Sequence, residues 1–204
     1  MDEQVPSLEQ STILRLKNMT SHCCVRIVRD ELEKLGVKVN AISLGEVDIT
    51  YSITDPGFDM IRKVMAENGF ELLQNREEAI VEQIKIAVIE LIHLSNNSNS
   101  IIRNSDYLVD KIQLSYQYLS NLFSQHEGTT LEKFIILHKI EKVKELISYE
   151  ELTLSEIAYQ MGYSSVQYLS TQFKNITGLS VTEYKKDPGK NRIPLDDLLK
   201  QAEL

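Results

Sequence analysis

Hydrophobic and polar positions in the first third of the chain alternate between two periods. A spacing of two predicts four strands, one that opens at Ile13 and three over 37–44, 47–53 and 70–73. Apolar residues three and four apart predict helices over 24–35 and 58–67, each followed by glycine. Residues 1–11 show no period and read as a loose tail. The order of elements in residues 12–74 predicts an α+β domain with the ferredoxin-like βαββαβ pattern.

A longer helix is predicted over residues 76–94, with an apolar stripe at alternating spacings of four and three. Such a stripe favours a pair of helices, so we expect a homodimer interface here. The alternative is packing onto a neighbouring domain. The stripe consists of Ile80, Ile84, Ala87, Leu91 and Leu94. Five small polar residues at 96–100 then predict a flexible joint, which makes residues 75–100 a linking segment.

The second half of the chain repeats itself at an offset of 50 residues, with the helical run 131–149 between the copies. Each copy predicts a helix, a tight turn and a second helix that a serine can cap. The recurring residues are Ser115, the run Gln-Tyr-Leu-Ser at 117–120, Phe123 and Gly128 in the first copy, and Ser165, the same run at 167–170, Phe173 and Gly178 in the second.

Two helix-turn-helix units on one long helix resemble the all-α DNA-binding domain of AraC/XylS-type transcription regulators. The resemblance covers residues 101–186, and two positions depart from the family pattern, Lys139 where Arg is usual and Val181 near the usual Pro. It implies a regulator that binds double-stranded DNA, with an N-terminal domain that senses a ligand or mediates dimerisation. The residues that carry the resemblance are Ile157-Ala158, Met161-Gly162-Tyr163, Leu169, Phe173-Lys174, Thr177-Gly178 and Glu183-Tyr184.

A helix-turn-helix places its second helix in the major groove, so positions opposite the buried Leu and Phe should meet base edges. Glutamine suits paired hydrogen bonds with adenine, and it recurs at the same place in both copies. The predicted base-contacting residues are Tyr116, Gln117, Ser120 and Asn121 in the first copy and Val166, Gln167, Ser170 and Thr171 in the second.

Charge changes this picture. With 22 basic and 30 acidic residues the net charge is −8, whereas neutralisation of phosphates supplies most nonspecific DNA affinity. We therefore expect weak nonspecific DNA binding. Specific binding should depend on base contacts and on dimerisation. Local placement still matters, because Lys139, Lys174, Lys185 and Lys186 could line one face. Lys139 and Lys174 are the predicted contacts to the DNA backbone.

The loop before the first helix resembles part of the M-x-C-x-x-C motif of heavy-metal-associated domains. Met19 and Cys24 fit the motif, but Ser21 stands where the first cysteine should be. A soft ion such as Cu(I) prefers thiolates, so we expect weak or no metal binding and no cofactor. The candidate ligand for Cu(I) or Zn(II) is Cys24, helped by His22 or Cys23. A small organic effector or a structural role is the preferred use of this domain.

Several classes of protein are disfavoured. No apolar run reaches the roughly 18 residues of a membrane span, and the acidic start and adjacent cysteines fit a cytoplasmic protein. The four histidines fall in different elements, without an activated nucleophile or a phosphate-binding loop, so we expect no enzyme. The alternative to a DNA-binding regulator is a metal-responsive regulator, or a metal-handling module whose helix-turn-helix serves protein contacts.

An extension at 187–204 carries a short helix from Ile193 that could cap the domain or contact a partner.

Overall fold

A computed structural model of the chain describes residues 9–54, 57–94, 104–188 and 192–199. The chain divides into two compact units, Met1–Ile86 and Ala87–Leu204. The first unit combines helices with a four-stranded sheet, and the second is built from helices. This division into a mixed α/β part and a helical part confirms the coarse architecture that the sequence predicts.

The first unit contains one antiparallel sheet in the order β2-β3-β1-β4. β1 begins inside the segment predicted to be a loose tail, because Glu9 at its start pairs with Ser52 at the end of β3. The ferredoxin-like classification stays a prediction. The elements are β1 Glu9–Lys17, α1 His22–Lys34, β2 Lys38–Ser43, β3 Glu46–Ser52, α2 Phe58–Glu67 and β4 Glu71–Leu72.

The core of the first unit lies where the sheet meets α1 and α2. Alternate residues of β3 are buried, as a strand with one covered face requires. From the helices, residues three or four positions apart complete this core. Its fully buried members include Leu16, Val47, Ile49, Val28, Leu32, Ile61 and Met65. The periods that predict the elements thus also select the core residues.

Helix α3, Arg76–Ile89, is buried on several sides and continues into a π-helical segment, Glu90–Leu94. Ile80 is buried, and Ile84 and Ala87 have 0% exposure in the single chain. The proposed role of these positions in a homodimer interface stays a prediction. Of the predicted stripe, Leu91 is half-buried and Leu94 is 40% exposed.

The helical unit contains both copies of the repeat. The first copy comprises α4 Asn104–Ile112 and α5 Tyr116–Glu127, and the second comprises α7 Leu154–Gln160 and α8 Val166–Thr177. α6, Leu131–Tyr149, joins the copies, and α9, Val181–Tyr184, follows the second. The predicted flexible joint at 96–100 lies outside the described residues.

The described part of the C-terminal extension packs against its own unit. A 3-10 turn, Leu195–Asp197, replaces the start of the predicted helix. Leu198 is fully buried against Leu137 of α6, with Ile176 and Ile193 beside them. The extension therefore caps the helical unit, which is one of the two roles that the sequence left open.

Candidate nucleic-acid interface

Both copies of the repeat use the same caps around their second helix. The Ser115 hydroxyl accepts a hydrogen bond from the Tyr118 N–H at 3.4 Å, and the Ser165 hydroxyl accepts one from the Tyr168 N–H at 3.1 Å. Such a cap pairs one of the free N–H groups at a helix start. α5 and α8 both end at a glycine in the left-handed conformation, with φ of 66° and 75°. The residues shared by the two copies thus make α5 and α8 begin and end at equivalent positions.

The same residues also bury the same face of each second helix. Leu119 and Phe123 of α5 are fully buried, as are Leu169 and Phe173 of α8. The Phe123 ring lies 5.1 Å from the ring of Phe134, and the Phe173 ring lies 5.5 Å from that of Tyr184. Because one face is committed to the core, the opposite face of each helix is presented to solvent.

On α5 the exposed face carries Gln117 and Asn121, one helical turn apart. The Gln117 amide Nε2 donates to Asn121 Oδ1 at 2.9 Å, which fixes the orientation of both amides. Ser120 is half-buried beside them. Tyr116 has a different environment, because its hydroxyl donates to Glu132 of α6 at 2.9 Å. Burial, followed by this hydrogen bond, raises the pKa of Tyr116.

On α8 the exposed face carries Gln167 and Thr171, at the positions equivalent to Gln117 and Asn121. The Thr171 hydroxyl donates to the Gln167 backbone carbonyl at 2.9 Å, so its donor is used within the helix. The Gln167 amide makes no hydrogen bond to any described residue, unlike Gln117. Val166 and Ser170 are half-buried at the edges of this face.

Lys139 is half-buried, unlike the other three predicted lysines. Its ammonium donates to the Met161 carbonyl at 2.9 Å and lies 5.6 Å from the centre of the Tyr163 ring. Burial lowers the pKa of Lys139. The side chain therefore holds the turn between α7 and α8, and its contact to the DNA backbone stays a prediction.

The other three predicted lysines are exposed. Lys174 of α8 and Lys185, just after α9, line one cleft of about 440 Å³ together with Ser170 and Thr171. Lys186 follows on the surface. Asn175, Ser180 and Thr182 complete the polar lining of this cleft. Periodicity did not single them out, because their proximity depends on how α9 folds back against α8.

Sequence reasoning missed a buried histidine pair in the helical unit. His93 Nε2 lies 3.2 Å from His138 Nδ1, and the His138 ring lies 4.4 Å from Phe134 in an edge-on contact. Burial is the main cause that lowers the pKa of His93 to about 4 and that of His138 to about 3. His138 Nε2 is buried without a hydrogen-bond partner among the described residues. The pair is therefore neutral at pH 7.

In the loop that resembles a metal motif, Met19 is fully buried in the core of the first unit. Cys23 is exposed, whereas the half-buried Cys24 lies 3.4 Å from the Ser21 hydroxyl. The described residues hold no cluster of three or more His, Cys, Asp or Glu side chains suited to a metal ion. The methionine of the motif thus serves the core. His22 is exposed at the start of α1.

Within the described parts of the chain, every helix is too short or too polar to cross a membrane.

Residues 108–187 match the family model described as a helix-turn-helix domain. This match confirms the predicted helix-turn-helix domain in the C-terminal half. It covers most of the first copy, the joining helix α6 and the whole of the second copy.

The curated relatives include proteins named as transcription regulators. The chain is 25% identical over 160 residues to the uncharacterized HTH-type transcriptional regulator YdeC of Bacillus subtilis, with 78% of this chain and 52% of that protein covered. It is 29% identical over 99 residues to the xylose operon regulatory protein of Escherichia coli K12, with 48% of this chain and 25% of that protein covered. The chain thus spans about half the length of these relatives, or less.

Among solved structures, the transcriptional regulator CdpR from Pseudomonas aeruginosa aligns with a TM-score of 0.42 and 14% identity. The alignment covers 85% of this chain and 55% of that one.

Proposed function

We propose that this chain is a transcription regulator of the AraC/XylS type whose helical unit binds double-stranded DNA at specific sequences. The observation that carries this proposal is the duplicated, equally capped helix with a solvent-facing glutamine at the same position of each copy. Relatives that share the helix-turn-helix region are themselves named as regulators. A protein with this function would act in the compartment that holds the chromosome.

The spacing of the copies supports simultaneous contact with DNA. α6 contains 19 residues, which at 1.5 Å per residue gives a length of about 28 Å. One turn of B-DNA is about 34 Å. In the proposed complex, α5 and α8 enter successive major grooves on one side of the duplex.

The chemistry of the two exposed faces supports base readout. A glutamine amide offers a donor and an acceptor that match N7 and N6 of adenine. Gln117 is held by Asn121, so its remaining hydrogen-bonding groups have a fixed direction. The Thr171 methyl group, with its hydroxyl turned to the Gln167 carbonyl, suits contact with the methyl group of thymine. In this proposal Tyr116 positions α5 through Glu132 and does not read a base.

The first unit is proposed to respond to a small organic effector or to mediate dimerisation. The buried position of Met19 and the single half-buried thiol of Cys24 favour these roles over a metal sensor, because a soft metal ion requires several accessible sulfur ligands.

The experiment is a fluorescence anisotropy titration of the full chain with duplexes from the region upstream of its own gene. Gln117→Ala and Gln167→Ala should each weaken binding by about 1 to 3 kcal/mol. Gln160→Ala is the matched control, since Gln160 is exposed on α7, and it should leave the affinity unchanged. Equal affinities for the wild type and both variants would refute the assignment of these faces.

A further inference from the structure

We propose that the second copy alone carries a phosphate-binding cleft, formed by Lys174 and Lys185, that anchors the chain on the DNA backbone. This inference rests on the proposed function and assigns different tasks to the two copies. The second copy would hold the duplex electrostatically, and the first copy would contribute sequence readout with little attraction of its own.

The cleft lies between α8 and the segment around α9, beside the proposed reading face. Lys174 approaches it from α8 and Lys185 from the residue that follows α9. Ser170 and Thr171 belong both to the cleft and to the edge of the reading face. A phosphate group in the cleft would therefore belong to the strand that borders the major groove occupied by α8.

The lining suits a phosphate diester better than a neutral ligand. Two exposed ammonium groups supply positive charge, and Asn175 and Thr182 add side-chain hydrogen-bond donors. Neither lysine forms a salt bridge within the described residues, so neither has to leave a bound carboxylate before it can approach DNA. Lysine acts on phosphate as a flexible point charge, which tolerates any base sequence.

The acidic side chain of Glu183, between the cleft residues Thr182 and Lys185 in sequence, is already engaged. The Glu183 carboxylate accepts hydrogen bonds from the Ser180 N–H at 2.7 Å and from the Ser180 hydroxyl at 2.6 Å. These bonds are the main cause that lowers the pKa of Glu183, and the charges of Lys174 and Lys186 lower it further. Three exposed lysines, at positions 174, 185 and 186, outnumber Glu183 and Asp187, so this region keeps a positive balance.

The equivalent positions in α5 and at the start of α6 lack both lysines, although Lys133 stands where the second copy has Glu183. Fifty residues earlier, Ser124 stands for Lys174, Glu132 for Thr182 and Ile135 for Lys185. Ile135 is buried in the core, and Glu132 is held by Tyr116. The two copies thus share their caps and core residues but differ in their lysines. In this proposal the second copy anchors the chain on phosphate, and the first copy serves base readout.

The test is the salt dependence of binding to a labelled 30-base-pair duplex of random sequence, measured by anisotropy between 50 and 200 mM KCl. Each phosphate contact contributes about 0.9 to the slope of log affinity against log salt. Lys174→Gln with Lys185→Gln should therefore reduce the slope by about 1.8. Across this fourfold range of salt, the wild type should lose about tenfold more affinity than the double variant.

Two matched variants accompany this measurement. Replacing both lysines by arginine should preserve the slope, because the charge is kept. Replacing the exposed Lys38 and Lys63 of the first unit by glutamine should also preserve it, although the same net charge is lost. Melting curves of all variants should coincide, since the substituted side chains are exposed.

The outcomes separate this inference from the function on which it rests. An unchanged slope in the Lys174 and Lys185 double variant, with normal binding by the wild type, would overturn the phosphate cleft and leave the proposed function intact. A slope that falls equally in the Lys38 and Lys63 variant would overturn it as well, because the effect would then follow net charge. A wild-type chain that binds neither random nor upstream duplexes would overturn both proposals.

Discussion

The first and second helix-turn-helix copies agree at buried and capping positions and differ at exposed ones. Both bury a leucine and a phenylalanine on the second helix and end that helix at a left-handed glycine. The second copy adds Lys174 and a turn held by Lys139, whereas the first adds the Gln117 and Asn121 pair. The frame of a duplicated unit is set by packing, and its surface can acquire different chemistry without a change of fold.

The largest effect is expected from the shared core. Phe123→Ala and Phe173→Ala should each reduce the free energy of unfolding by about 3 to 5 kcal/mol, since each removes a fully buried ring and leaves a cavity. Urea denaturation followed by circular dichroism would measure both. If one substitution cost less than about 1 kcal/mol, the two copies would not share an equivalent core.

The next effect concerns the joining helix α6, where His138 contacts His93, and depends on pH. Burial lowers the pKa of His93 to about 4 and that of His138 to about 3, whereas an unfolded histidine titrates near 6.5. The unfolded chain therefore binds more protons between these values, and the free energy of unfolding should fall as the pH drops from about 6.5 towards 4. Between pH 7 and pH 5 we expect a loss of roughly 2 to 4 kcal/mol.

His138→Phe is the control for this pH effect, because it keeps a ring against Phe134 and removes the titrating group. Its free energy of unfolding should depend on pH about half as steeply or less over the same range. Denaturation at pH 7 and pH 5 for both proteins gives the comparison. Equal pH dependence in the two proteins would show that other groups cause it.

The surface difference can be tested by transplanting the chemistry of one copy to the other. Ser124→Lys with Glu132→Thr gives the first copy the residues of the second at two equivalent positions. The slope of log affinity against log salt should rise by about 0.9 for one added phosphate contact. An unchanged slope would mean that the first copy does not approach the DNA backbone at this point.

The smallest effect concerns the two turns. The first copy has Gln113 in the left-handed conformation with φ of 61°, whereas the second has Gly162 with φ of 69°. Gln113→Gly should stabilise the protein by about 0.5 kcal/mol, because it relieves side-chain strain but adds flexibility to the unfolded chain. Gly162→Ala should destabilise it by about 1 kcal/mol. Thermal melts of both variants test the difference, and changes of the same sign would contradict it.

The sequence predicts features that depend on neighbouring residues better than those that depend on distant ones. Serine caps, left-handed glycines and buried Leu and Phe positions follow from local spacing, and the structure shows them at Ser115, Gly128 and Leu119. The start of β1 at Glu9 depends on pairing with Ser52, which no local period reveals. The helices of each copy could therefore be predicted from the sequence, whereas the pairing of the strands could not.

The candidate site shows the same limit. Periodicity identified the exposed faces of α5 and α8, because the buried residues fix the opposite side. It named Lys139 as a contact to the DNA backbone and did not predict its hydrogen bond to the Met161 carbonyl, which lies within reach only after α7 folds against α6. It also predicts a dimer interface along the stripe through Ile84, and an apolar period by itself does not distinguish burial within a chain from burial against a second one.

The central claim is that both copies read DNA, one helical turn apart. Its most direct test is selection of bound duplexes from a randomised library by the wild type, Gln117→Ala and Gln167→Ala, followed by sequencing. The wild type should select duplexes with two enriched sequence blocks about 10 base pairs apart. Each substitution should relax the base preference in one block only. A single enriched block that both substitutions affect alike, or no enrichment by the wild type, would contradict the claim.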